Sequence, residues 1–358
     1  MRSYLEQLTS HIDGLSTAGS QVEIVPGLCP LLYYSLVPYI VSIADGAQFG
    51  WMRYTADTQF RRKILKCDFS RKDVNRLYPN EIIVRCPNHA SKVVCGVGPY
   101  GDGVIKVRIL DAESSCPKSH KPGEEFLLLG DQAHRARNFN RSFPRLVCDA
   151  FGLKESRGDN SKIGVSIEDI IFPCRYSRAG QKYTWPFSPD GFCLHLFQAI
   201  YPEVLSCMYG GRVPERFEVP CHCQSTPLGV SIKKVSKRRP VFSPVLDIAE
   251  GVFERFFYPF DRIDYDIKVK IDGKIPGGCA IASGREYAVN MGDQRFICPS
   301  ALHFLYPYLL LAERDTYIEW SGDSTPGHTI PCPDCVGTLY AICPRSEYPT
   351  GSRLCGSW

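Results

Sequence analysis

Residues 191–205, GFCLHLFQAIYPEVL, form an apolar, aromatic-rich run in which Cys193 is followed nine positions later by Pro202. The spacing recurs as Cys29 and Pro38 in GLCPLLYYSLVPYIV (27–41) and as Cys298 and Pro307 in FICPSALHFLYPYLL (296–310). One spacing kept in three places marks an internal repeat. Phe192, Leu196, Ile200, Val204 and Met208 recur at helical spacing, so the run is expected to be a helix packed by one face. Proline inside a helix costs about 3 kcal/mol. Because the apolar period continues past it, a helix kinked at proline is favoured over two helices with proline opening the second.

Downstream of each run lies a cysteine-bearing strand pattern: RCPNHASKVVCGV from Arg85, PCHCQSTPLGVSI from Pro220 and PCPDCVGTLYAIC from Pro331. Upstream of the second and third runs, Ile105, Val107 and Ile109 alternate as Ile267, Val269 and Ile271 do, which reads as a strand with one buried face. A turn and a second strand follow each, around Gly123 and Phe126 and around Gly284 and Tyr287. The unit is therefore strand, strand, helix, strand, strand. The first copy lacks a recognisable front hairpin, and the residues before Val25 look helical instead. Insertions over 132–182 in the second copy and 52–80 in the first are of the kind that map to surface loops or to walls of a site. The expected fold class is α+β: three tandem ββαββ-like repeats with internal pseudo-symmetry, the first incomplete, laid out as 1–100, 101–239 and 240–358.

A chain of 358 residues can bury a large core, and 44% apolar with 22% charged residues is ordinary for a globular protein. No stretch of transmembrane length lacks polar interruption, so no membrane partner is expected. The N-terminus lacks the charged, apolar and small-residue succession of a secretory signal, which makes the cytoplasm the expected location and reduced thiols the expected state. The 17 cysteines, an odd number, cannot all pair within one chain. A net charge of +4 is too small to argue for a nucleic-acid partner. The one dense basic run, Lys233 to Arg239, reads better as a solvated linker between repeats than as a polyanion patch.

The string GVGPYG, Gly96 to Gly101, matches the dinucleotide-binding expression. Pro99 removes a needed N–H and a strand pattern follows instead of a helix, so that reading is rejected. Walker, His-Glu-x-x-His and Gly-x-Ser-x-Gly motifs are absent, which leaves nucleotide hydrolase, zincin and esterase chemistry without support. The cysteines admit three roles: small buried residues, thiolate chemistry at a helix start, or a metal site. For the last, Cys116, Cys193, Cys221 and Cys223, with His120, His195 and His222 nearby, would suit tetrahedral zinc, and the third copy offers Cys279, Cys298, Cys332 and Cys335.

A feature kept in all copies serves folding first, so chemistry is sought where one copy departs from the others. The second departs most, with KYTWPFSPDGFC (182–193) leading into its helix. Asp190 and His195 are acid–base candidates and Cys193 a further catalytic one. Tyr183, Trp185 and Phe192 would line a substrate pocket, and Arg135 and Arg137 would hold a carboxylate or phosphate. The plainer roles are an N-cap for Asp190, a hydrogen-bonded core side chain for His195 and an exposed face for the arginines.

Through Cys116, Gly123, Phe126, Gly191, Phe192, Cys193, Ile200, Tyr201, Gly210, Gly211 and Cys221, the second copy resembles a family of small, uncharacterised, cysteine-bearing prokaryotic proteins, each a single unit of this kind. The third copy keeps Cys279, Gly284, Tyr287, Cys298, Tyr306 and Cys332, and the first keeps Cys29 and Cys86. The resemblance implies the boundaries of the unit and carries no activity with it. The expected function is a cofactor-independent enzyme of isomerase, cyclase or lyase type, acting on a small aromatic or apolar substrate in a dry pocket, with a homo-oligomer as an option. The alternative is a non-enzymatic binding or scaffold protein stabilised by zinc.

Overall fold

The computed structural model describes residues 4–17, 25, 27–47, 81–86, 93–101, 103–112, 118–152, 170–171, 194–220, 227–236, 265–272, 286–289, 299–312, 328–331 and 339–342. Among them, in chain order, lie α1 (Tyr4–Thr17), α2 (Pro30–Ala44), β1 (Ile82–Arg85), β2 (Val94–Gly101), β3 (Val104–Asp111) and β4 (Glu125–Leu128). There follow α3 (Gly130–Ala150), β5 (Ile170–Ile171), α4 (Leu194–Met208), β6 (Phe217–Val219) and β7 (Leu228–Ser236). The remainder are β8 (Tyr265–Asp272), β9 (Glu286–Val289), α5 (Pro299–Ala312), β10 (His328–Pro331) and β11 (Leu339–Ile342). Helices with small antiparallel sheets make the fold α+β.

Two sheets are four-stranded antiparallel meanders, β1-β2-β3-β4 and β6-β7-β8-β9. The alternation read from the sequence builds them: Ile105, Val107 and Ile109 of β3 and Ile267 and Val269 of β8 are buried. In each meander the central pairing, β2 with β3 and β7 with β8, spans a border between the segments expected at 1–100, 101–239 and 240–358. The third sheet runs β10-β11-β5, and β11 there meets a two-residue strand from within 132–182.

The helices carry the core. α2, α4 and α5 run unbroken through Pro38, Pro202 and Pro307, and α3 does the same through Pro144. A helical proline has no N–H for the carbonyl four residues back. The four carbonyls concerned are those of Tyr34, Asn140, Gln198 and His303, all in fully or almost fully buried residues. Side chains from a neighbouring helix meet each of them. Asn140 Nδ2 donates to the Gln198 carbonyl at 3.0 Å, and Gln198 Nε2 donates to the Asn140 carbonyl at 2.7 Å. His303 Nε2 donates to the Tyr34 carbonyl at 3.4 Å, and the Tyr34 hydroxyl donates to the His303 carbonyl at 3.2 Å. Each residue that loses its helical donor thus supplies one to its opposite number. One ring from each helix completes the layer: Phe143 stacks on Tyr34 at 4.1 Å, Tyr34 on His303 at 4.4 Å and His303 on Tyr201 at 5.0 Å.

Several expectations change. The segment from 132 does not begin as a surface loop, because α3 takes up residues as far as Ala150 and buries Ala136, Phe139, Phe143, Leu146 and Val147 along one face. Gln132 closes its start by accepting the Leu129 N–H at 2.8 Å. The basic run is not a linker over 233–236, which belong to β7 and pair with β8. There the buried alternation of Leu228, Val230 and Ile232 carries the strand onward. GVGPYG lies in β2 and leads into strand β3, with the Glu81 carboxylate packed against Gly96. The helix expected before Val25 is α1. Among the described residues, no helix is long and apolar enough to cross a membrane.

Gln198→Leu should cost about 1–3 kcal/mol, because the Asn140 carbonyl is left buried without a donor. In a Pro144→Ala background residue 144 regains an N–H for that carbonyl, so the same substitution should cost measurably less. Urea unfolding of the four proteins checks this, and an equal cost in both backgrounds would refute the proline account.

Candidate functional site at the start of α2

Cys29 is the N-cap of α2 and Pro30 opens the helix, where a missing N–H does no harm. The Cys29 backbone N–H donates to Nε2 of His120 at 3.3 Å. Nδ1 of His120 donates to Oε2 of Glu124 at 3.0 Å. This assigns the ring proton to Nδ1 and turns the Nε2 lone pair toward the helix start. His120 is buried, whereas the Glu124 side chain is 39% exposed, so the pair runs from solvent into the interior. Phe126 meets the imidazole edge-on, its centroid 5.8 Å away.

The turn that delivers His120 is pinned to β3 by hydrogen bonds between Ile109 and both Gly123 and Glu124. Ser119, just before the histidine, is left-handed with φ 53°. Residues with side chains seldom adopt that conformation, and such strain collects at functional sites. The helix N-terminus favours negative charge, and the buried Cys29 stands at it. A carboxylate-oriented base beside a thiol-bearing helix start is an arrangement suited to proton transfer or nucleophilic chemistry.

The sequence points instead to the start of α4. Of the residues named there, His195 is described: it is buried on the first turn, its Nδ1 2.5 Å from the Tyr306 hydroxyl on α5. The two rings meet edge-on at 5.7 Å. Tyr306 follows Cys298 by the interval at which Tyr201 follows Cys193, a signal that could have nominated it. Asp190, Cys193, Tyr183, Trp185 and Phe192 lie outside the described residues, as do Cys116, Cys221 and Cys223. His120, expected near Cys116, Cys193, Cys221 and Cys223, accepts the Cys29 N–H. Among the described residues, no group of three or more His, Cys, Asp or Glu is placed to hold a metal.

Arg135 and Arg137 both sit on α3 and do different things. Arg135 reaches Asp131 along its own exposed face at 3.5 Å. Arg137 is drawn inward to Asp45 and to Glu203, whose Oε1 lies 3.4 Å from its Nε. Arg141 joins the same oxygen at 3.1 Å. The carboxylates held there belong to this chain.

His303 marks the opposite extreme from His120. Stacked between Tyr34 and Tyr201 and fully buried, it is pushed down to about 3 by desolvation, the Tyr34 carbonyl pulling only partly the other way. It is a neutral structural ring. Unfolded, the same histidine takes a proton near 6.5. Its contribution to stability should therefore be complete above that pH and decline as pH falls toward 3, by at most about 1.4 kcal/mol per pH unit. Comparing wild type with His303→Gln in urea unfolding between these limits should show the variant's stability falling less steeply with acid. Parallel curves would refute the assignment.

No family model matches the chain, and neither a curated protein nor a solved structure matches it.

Proposed function

We propose that this chain is a cofactor-independent enzyme of isomerase, cyclase or lyase type, acting on a small aromatic or apolar substrate, with its acid–base group at a helix start. The observation that carries this reading is the Glu124–His120 pair, whose Nε2 is turned onto the N-terminus of α2 beside Cys29. Glu124 would orient the imidazole and support its protonated form. Nε2 would take a proton from a carbon or hydroxyl of the substrate, releasing the Cys29 N–H to face the anion that results. Phe126 offers an aromatic wall.

The reading includes the repeat: three ββαββ-like units, the first incomplete, with the first and second each passing a back hairpin to the front hairpin of the next. On that scheme the base belongs to one junction. Glu124 precedes Glu125 in the second unit where Arg285 precedes Glu286 in the third, so the third has no equivalent carboxylate. A cytoplasmic location and a small-molecule partner go with this proposal. The short His195–Tyr306 contact favours a second reading, in which the acid–base group lies at the start of α4 with Asp190 and Cys193 as its companions.

The test is turnover of a panel of small aromatic and apolar carbonyl compounds by metal-free protein, followed by NMR. His120→Gln should lower kcat by roughly 10²–10⁴-fold without altering thermal unfolding. A loss with Asp190→Asn and Tyr306→Phe but not with His120→Gln would move the site to α4. Stoichiometric zinc after chelator-free purification, with unfolding on its removal and no turnover, would establish the zinc-stabilised scaffold instead.

A further inference from the structure

A second group of buried charges lies away from the helix starts, where α2 ends between α3 and α4. Oε1 of Glu203 on α4 accepts from Arg141 and pairs with Arg137, both on α3, and Arg137 also pairs with Oδ1 of Asp45, the C-cap of α2. The Glu203 side chain is 3% exposed and that of Asp45 10%. Each carboxylate uses only half its capacity. Oε2 of Glu203 and Oδ2 of Asp45 are buried with no hydrogen-bond partner among the described residues, and so are Ser206 Oγ and Arg141 Nε.

Ser206 is one turn beyond Glu203, and its hydroxyl is directed at Gly211, where a Cβ would come within 2.3 Å of it. The Gly211 N–H donates to the Ser206 carbonyl and the Arg212 N–H to the Asp45 carbonyl, both at 2.8 Å. The turn after α4 thereby closes over the group. An ionised carboxylate with an idle oxygen in such a place is costly, since nothing replaces the water it gave up.

A proton on Oε2 resolves this without disturbing the rest. Oε2 becomes a donor, Asp45 Oδ2 is a buried acceptor of the same cluster that lacks one, and Oε1 stays beside both guanidiniums. The positive charge left on Arg141 is eased by its 15% exposure. We propose that Glu203 is a proton-operated clamp: protonated, it completes the cluster and holds α3 firmly to α2 and α4; ionised, it loosens that hold.

The groups facing it are Asp45 from α2, Arg137 and Arg141 from α3 and Ser206 from its own helix. Burial raises the Glu203 carboxyl above 4.5, with Arg141 and Arg137 opposing and Asp45 adding to the rise. A carboxyl raised on folding contributes stability that is complete below its unfolded value and is lost as pH rises through its folded value. The clamp therefore tightens with acid.

Glu203→Gln, a neutral stand-in for the protonated side chain, tests this. In urea unfolding at mildly alkaline pH its unfolding constant should be smaller than that of wild type, with the gap widening as pH rises above 4.5. The two proteins should converge near pH 4.5. Amide exchange in α3, corrected for its intrinsic pH dependence, should quicken with rising pH in wild type and stay level in the variant. A variant that fails to fold, or is weaker than wild type by a constant amount at every pH, would overturn the proposal and leave a plain ion pair. So would infrared spectra of wild type that show no protonated carboxyl band above pH 4.5.

Discussion

A carbonyl that proline deprives of its helical donor is the constraint on which the helical core depends. A helix without proline satisfies its own backbone and can slide or turn against a neighbour at the cost of apolar packing alone. Each of these four helices instead buries one acceptor it cannot satisfy, at Tyr34, Asn140, Gln198 or His303. An unmet buried carbonyl costs about 1–3 kcal/mol. The neighbour must therefore bring a donor to a particular height, and the reciprocal bonds between α3 and α4 and between α2 and α5 do so. Register and choice of neighbour follow from a residue type that is usually taken to break helices.

The spacing that opens the sequence acquires a physical sense from this. Proline nine residues after cysteine places the deprived carbonyl five residues after it, and that position holds Tyr34, Gln198 and His303. The periodicity of GFCLHLFQAIYPEVL was enough to predict a helix and its passage through proline, but not that the helix is buried on every side from Leu194 to Ser206 rather than by one face. It could not pair the helices, because pairing rests on side chains separated by 58 or 269 positions. A usable signal did exist: a polar or hydroxyl-bearing residue stands four before each of the four prolines inside these helices. Followed into 132–182, the rule finds Asn140 before Pro144 and, with them, α3. Exposed arginines on its outer face gave that stretch the look of a surface insertion, while Phe139 and Phe143 marked its inner one.

Strands were legible from alternation, but their neighbours were not. The segment borders drawn at 100/101 and 239/240 separate hairpins that the sheets join, since β2 pairs with β3 and β7 with β8. The same exchange brings His120 to a cysteine that sequence proximity does not suggest. His120 lies four residues from Cys116 in sequence, which groups it with Cys116, Cys193, Cys221 and Cys223. The meander instead carries its hairpin across to α2, where it meets Cys29. Glu124, one helical turn's distance along a strand-linking turn, gave no periodic signal at all.

Polar groups in this core fall into two kinds, and the difference separates what folds the chain from what could regulate it. The amide and phenol–imidazole pairs are neutral and mutually satisfied, so pH reaches them only through His303, which burial holds uncharged. Glu203 stands directly after Pro202 where Tyr39 and Tyr308 stand directly after Pro38 and Pro307. A carboxylate has replaced an aromatic residue at that place, and both guanidiniums that answer it come from α3. The carboxyl group and the helix that answers it belong together: without α3 its Oε1 would face no guanidinium, and without Glu203 and Asp45 the two inward arginines would be buried without partners. Half of the buried side-chain atoms without a partner among the described residues, those of Asp45, Arg141, Glu203 and Ser206, thus lie in the part that joins α3 to the rest.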